Sequence, residues 1–124
     1  MVEQVSGRQN PDAFLADLFQ SVGGRGGTRV EYLRESSARH RIDPLVQARR
    51  SAEQGILQSA MEYIMASDLS TYDKLTKISE MATVVLGVIA TDPSKTVISD
   101  TVAGQKAIEV MERSSDYLAS LRLN

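Results

Sequence analysis

The chain has no cysteine and no tryptophan, one histidine and three prolines in 124 residues. Without cysteine there is no disulfide, no thiolate metal site and no thiol nucleophile. A single imidazole, His40, gives no basis for a metal centre or a Ser-His-Asp arrangement, and Glu-x-x-His is absent. Neither a catalytic residue, a metal ligand nor a cofactor site is therefore expected. Aromatic residues make up only 5% of the chain, so its core must be built from Leu, Ile, Val, Ala and Met. Long apolar runs are also lacking. The richest, Met81 to Ala90, is about ten residues, where a membrane span needs about 20. Residues 1–10 are polar and lack the apolar centre of a secretory signal. A cytoplasmic location is expected.

Hydrophobic residues make up 42% and charged residues 24%, the balance of a single globular domain. The net charge is −2, but it is unevenly spread. Between positions 25 and 50 lie Arg25, Arg29, Arg34, Arg39, Arg41, Arg49 and Arg50, against only Glu31, Glu35 and Asp43. The remainder of the chain is net acidic. Every basic side chain before Lys74 is arginine, whose planar fork grips carboxylates and phosphates at two points.

Each proline follows Asn or Asp: Asn10-Pro11, Asp43-Pro44 and Asp92-Pro93. That pairing places an N-capping oxygen directly before a first helical residue that has no N–H to satisfy. A first helix is predicted over 11–22, with Phe14, Leu15, Leu18, Phe19 and Val22 on one face. It runs into Gly23-Gly24-Arg25-Gly26-Gly27, expected to act as a hinge. A short second helix starts at Thr28, which with Glu31 fits a capping box. Its apolar face is thin, so it is expected to be solvated and to pack on a partner.

A third helix is predicted over 44–66 without interruption, with Gly55 tolerated inside it at a cost of about 1 kcal/mol. A fourth begins near Ser70 and is apolar around much of its circumference, the mark of a central element. Residues 83–89 also have strand character, a weaker alternative. The fifth runs from Pro93 towards Leu121. Val97, Thr101, Gly104, Ile108, Met111, Ser115 and Leu118 recur in it at strict 4–3 spacing, a heptad seam with small members. The short connection makes helices four and five an antiparallel hairpin.

The expected fold is all-α: a bundle of four or five helices, with a mobile arm at 1–10, one helical domain over 11–124 and a hinged N-terminal helix. Glu62, Asp68, Asp73 and Glu80 have the spacing of a solvated face rather than of a catalytic pair. The glycine loop before Thr28 lacks the lysine and the preceding strand of a phosphate-binding loop.

A non-enzymatic interaction or assembly module is expected, a small subunit or adaptor that forms homo-oligomers or joins a larger complex. The apolar face Phe14, Leu15, Leu18, Phe19, Val22 is one candidate contact. The alternative is a nucleic-acid-binding protein using Arg25, Arg29, Arg34, Arg39, Arg41, Arg49 and Arg50. Gly-Gly-Arg-Gly-Gly resembles the Gly–Arg elements of RNA-binding tails. Tyr32 is the only aromatic there, too few for a base-stacking platform.

Overall fold

The computed structural model describes residues 10–24, 28–91 and 100–122. Among these the chain is all-helical, with six helices: α1 (Pro11–Ser21), α2 (Thr28–His40), α3 (Pro44–Glu53), α4 (Leu57–Ala66), α5 (Thr71–Thr91) and α6 (Asp100–Arg122). Residues 1–9 of the expected arm over 1–10, residues 25–27 of the glycine loop and the start at Pro93 lie outside the described residues.

The helix starts follow the capping chemistry. Asn10 Oδ1 accepts the Asp12 N–H at 2.8 Å, and Asp43 Oδ1 accepts the Leu45 N–H at 2.9 Å. Ser70 Oγ accepts the Asp73 N–H at 3.1 Å and opens α5. Residues 83–89 are helical, within α5.

The predicted helix over 44–66 is two helices. Gly55 sits at φ 80°, in the left-handed region. The Gly55 N–H reaches Ala52 O at 2.9 Å and the Ile56 N–H reaches Ser51 O at 3.0 Å, the paired bonds of a Schellman motif. Glycine adopts this conformation without penalty, so Gly55 ends α3 instead of being carried inside a longer helix. The chain folds back, and Ser51 Oγ meets Ser59 Oγ at 3.0 Å across the α3–α4 turn. The same motif closes α1: Gly23 stands at φ 85°, and the Gly24 N–H bonds to Phe19 O at 3.0 Å.

It closes α2 as well, with Arg41 in the left-handed position at φ 55° and the Ile42 N–H on Ser37 O at 2.9 Å. A side chain in that region costs about 1 kcal/mol or more. Arg41→Gly removes this strain, partly offset by the freer unfolded chain. It is expected to raise stability by about 0.5–1 kcal/mol, read as a higher urea midpoint at unchanged slope.

Helix α5 is the hub, packed against α1, α3, α4 and α6. Its wholly buried residues, Leu75, Ile78, Ala82 and Val85, meet Leu18 of α1 and Met61 and Ile64 of α4 in one core. Burying a side chain of this size contributes about 1.5–3 kcal/mol. Ala48, Ala52, Ala60, Ala82 and Ala107 are all buried to within 1% of completeness, which lets the helix axes come close. Helix α2 joins this core through α4, with Val30 and Leu33 buried, and so packs within the chain.

Ser79 Oγ of α5 meets Ser115 Oγ of α6 at 3.1 Å. If the two helices were parallel, this pairing would separate Thr91 from Asp100 by about 40 Å, beyond the roughly 30 Å that the connecting residues span when extended. The hairpin is therefore antiparallel.

Among the described residues, the buried stripe of α6 shares Leu118 with the 4–3 seam but otherwise departs from it. Ala107, Val110, Ser114, Tyr117 and Leu118 face inward, whereas Ile108 is 44% exposed and Ser115 is also exposed. Ser114 is wholly buried because its hydroxyl donates to Val110 O at 2.7 Å within its own helix. Of the seam's described side chains, Ile108 and Ser115 are exposed, Gly104 and Met111 are half-buried, and Leu118 faces inward.

Candidate interaction surfaces

The apolar face of α1 lies inside the molecule. Phe14, Leu15, Leu18 and Phe19 are buried and Val22 is partly buried against the core. Phe14 stacks on Tyr117 of α6 with ring centroids 4.1 Å apart and planes 6° from parallel. Arg113 lies over the Phe14 ring at 5.5 Å and reaches Asp17 Oδ2 at 2.6 Å. At the other end Thr71 Oγ1 donates to Asp12 Oδ1, tying α1 to the start of α5. In the folded chain the first four face the core and Val22 packs at its edge.

The arginines divide into two groups. Arg25 lies outside the described residues. Arg29 reaches Glu62 Oε1 at 3.7 Å and lies 5.9 Å from the centre of the Tyr32 ring. Arg49 bridges Glu53 at 3.2 Å and Glu80 at 3.4 Å.

Arg34 donates through Nε to Ala66 O at 3.3 Å and through Nη2 to Met65 O at 3.2 Å, and pairs with Glu31 at 2.9 Å. Lys74 Nζ donates to the same Met65 O at 3.1 Å. Two cations from α2 and α5 thus cap the C-terminus of α4, whose own last turn has no basic residue. Burial holds the Lys74 ammonium below the usual lysine range and Arg34 pushes the same way, with Asp68 and Asp12 opposing. The unfolded chain keeps this proton to higher pH than the folded one. Its contribution to stability therefore rises as pH climbs through the interval between the two values.

Arg39, Arg41 and Arg50 are exposed and make no ion pair among the described residues, and His40 stands exposed between the first two. Among the described arginines of this segment these three are available to an anionic partner.

Between α3 and α5 lies a shallow groove of about 420 Å³ floored by Leu45, Ala48, Ile64 and Met81. Its rim carries Arg49, Lys77, Glu53 and Glu80, already paired with one another. Among the described residues no three His, Asp or Glu side chains come together to hold a metal ion. No helix of the described chain is long and apolar enough to cross a membrane.

A further surface is the outer face of the α5–α6 hairpin, marked by the Ser79–Ser115 contact. Counting by helical turns from those two serines, the face holds Tyr72, Thr76, Thr83, Leu86 and Ala90 on α5, and Gly104, Ile108 and Met111 on α6. None is charged. Tyr72 is 42% and Ile108 44% exposed, while Leu86 and Met111 are partly buried. No protein-family model matches the chain, and neither a curated protein nor a solved structure matches it significantly.

The α6 half of this outer face was legible as the 4–3 seam. The α5 half belongs to the helix whose apolar circumference exceeds what one bundle face requires. It carries no charge from Met81 to Thr91.

Proposed function

We propose that the protein is a non-catalytic helical interaction and assembly module, a small subunit or adaptor that works by presenting helix faces to protein partners. The observation that carries this reading is the exposure of Ile108 and Ser115, two members of the 4–3 seam of α6, beside an uncharged face of α5. Large exposed side chains such as Ile108 on such a face favour a protein partner over solvent.

The test is the solution mass by light scattering, at low and at high salt. A mass at or above twice 13.6 kDa at both salts is expected, since apolar contacts are not screened. A monomer at both salts overturns the reading.

The second reading is binding of nucleic acid through the Arg-rich segment. It is favoured by the exposed and unpaired Arg39, Arg41 and Arg50. It predicts binding that weakens steeply with salt and is lost on Arg39→Glu with Arg50→Glu. Unchanged binding in that double variant removes it.

A further inference from the structure

Two exposed surfaces of this chain, on different helices, are opposite in charge and alike in build. On α6, Ile108, Glu112 and Asp116 recur every fourth residue and share one face, all three exposed. They border a shallow groove with Gln105, Glu109 and Arg113. The cations beside them are engaged elsewhere: Arg113 reaches Asp17 at 2.6 Å and Glu109 at 3.5 Å, and Lys106 lies 3.9 Å from Glu109. Arg122 stands more than a turn beyond Asp116. Glu112 and Asp116 make no ion pair among the described residues. The stripe thus presents an apolar side chain followed by two uncompensated carboxylates.

At the corner between α2 and α3 the sign is reversed. Val46 and Arg50 share a face of α3 one turn apart, and Ile42 is exposed just before that helix. Arg39 and Arg41 precede it, unpaired like Arg50 among the described residues. Of the nearby acids, Asp43 spends an oxygen on the α3 cap and Glu53 is held by Arg49, while Glu35 lies a full turn before Arg39. Arg41 keeps the left-handed position at φ 55° with its side chain in solvent, where glycine would stand without penalty. A strained residue retained on the surface points to a use outside the fold. Val46 and Arg50 also edge the apolar groove floored by Leu45, Ala48, Ile64 and Met81.

Aliphatic Ile42 and Val46 give a nucleic acid nothing to stack on. The α6 stripe offers them an apolar counterpart, with carboxylates for the arginines. We propose that the α6 stripe of one copy docks on the α2–α3 corner of the next; this rests on the assembly reading and names its partner as a second copy joined through unlike faces. Ile108 seats against Val46 and Ile42, and Glu112 and Asp116 face Arg39, Arg41 and Arg50. Helices α3 and α6 each pack on α5 without packing extensively on each other, so one copy can engage both faces at once. Such head-to-tail contact builds a ring or a filament instead of a closed two-fold dimer. Its affinity falls several-fold as salt screens the exposed charges, while the apolar centre persists.

The test uses the full chain and two charge-reversed forms. Glu112→Lys with Asp116→Lys makes both faces basic, and Arg39→Glu with Arg50→Glu makes both faces acidic. Each alone is expected to self-associate about 100-fold more weakly than the wild type. Mixed in equal amounts, they are expected to assemble again, because every contact then joins a basic face to an acidic one. Light scattering reads the mass and circular dichroism checks the helices. The shape-conserving Glu112→Gln with Asp116→Asn is expected to weaken association about 10-fold without disturbing the fold.

If the wild type assembles and either charge-reversed form assembles equally well, or the mixture stays monomeric, this contact is overturned while the assembly reading stands. Unchanged association of Glu112→Gln with Asp116→Asn overturns it too. Loss of nucleic-acid binding in Arg39→Glu with Arg50→Glu, with self-association intact, assigns those arginines to the second reading and overturns the contact. A wild-type monomer at both salts overturns contact and assembly reading together.

Discussion

Gly24→Val is expected to destabilise the protein by about 3 kcal/mol, whereas Gly87→Ala is expected to stabilise it by about 0.5–1 kcal/mol. The two glycines differ in what stands beside them. A Cβ on Gly24 would fall 2.6 Å from Phe19 Cζ, well inside van der Waals contact. Phe19 is only 2% exposed, so its ring has no free space to move into. Either the ring leaves its core slot or the Gly24 N–H gives up Phe19 O and the cap of α1 opens. Overpacking of this sort costs about 1–3 kcal/mol, and a lost cap about 1 kcal/mol more.

At Gly87 a Cβ meets nothing within 4 Å, so only the helix-propensity gain remains. Thermal unfolding separates the two: Gly24→Val is expected to lower Tm by roughly 10 °C, and Gly87→Ala to raise it by a few degrees. A Gly24→Val protein as stable as the wild type would mean that Phe19 does not sit against this turn.

Arg34→Ala is expected to cost about 2 kcal/mol, the scale of hydrogen bonds from a charged donor. Its guanidinium serves two carbonyls at the end of α4 and ties α2 to that helix, and no residue of α4's own last turn substitutes for it. Arg34→Lys is expected to restore only part of the loss, because an ammonium lacks the two-point fork. Removing the guanidinium also takes away one of the two causes of the lowered Lys74 pKa, so NMR titration of the Lys74 ammonium is expected to show an upward shift. If Arg34→Ala leaves the urea midpoint unchanged, the α4 cap is not held as described.

The same geometry determines which arginines are useful in a binding test. A charge reversal at Arg34 weakens the fold itself and would mimic loss of a nucleic-acid contact. Arg39 and Arg50 touch no other described residue through an ion pair, so their reversal reads the surface alone.

Helix starts and fold class followed from the sequence because the interactions that set them span two or three residues. Asn10 caps Asp12 and Asp43 caps Leu45 whatever packs above them. The apolar circumference of α5 likewise marked it as the central element before any neighbour was placed. The break at Gly55 was visible as a glycine, yet a glycine inside an apolar stripe is compatible both with a close helix crossing and with a left-handed cap. The fold-back of α4 on α3 selected the cap.

Three further features belong to the tertiary structure alone. Phe14 stacked on Tyr117 joins α1 to α6, a contact between residues far apart in sequence. Seven arginines read as one basic segment, but carboxylates and helix-end carbonyls from α3, α4 and α5 hold Arg29, Arg34 and Arg49, leaving Arg39, Arg41 and Arg50 exposed. On α6, Ala107 and Ile108 are neighbours on adjacent stripes. Periodicity favours the stripe of Ile108, yet the packed molecule buries Ala107 and leaves Ile108 exposed. Local chemistry determines where a helix begins, but which of two adjacent stripes is buried depends on the size and position of the helix that arrives against it.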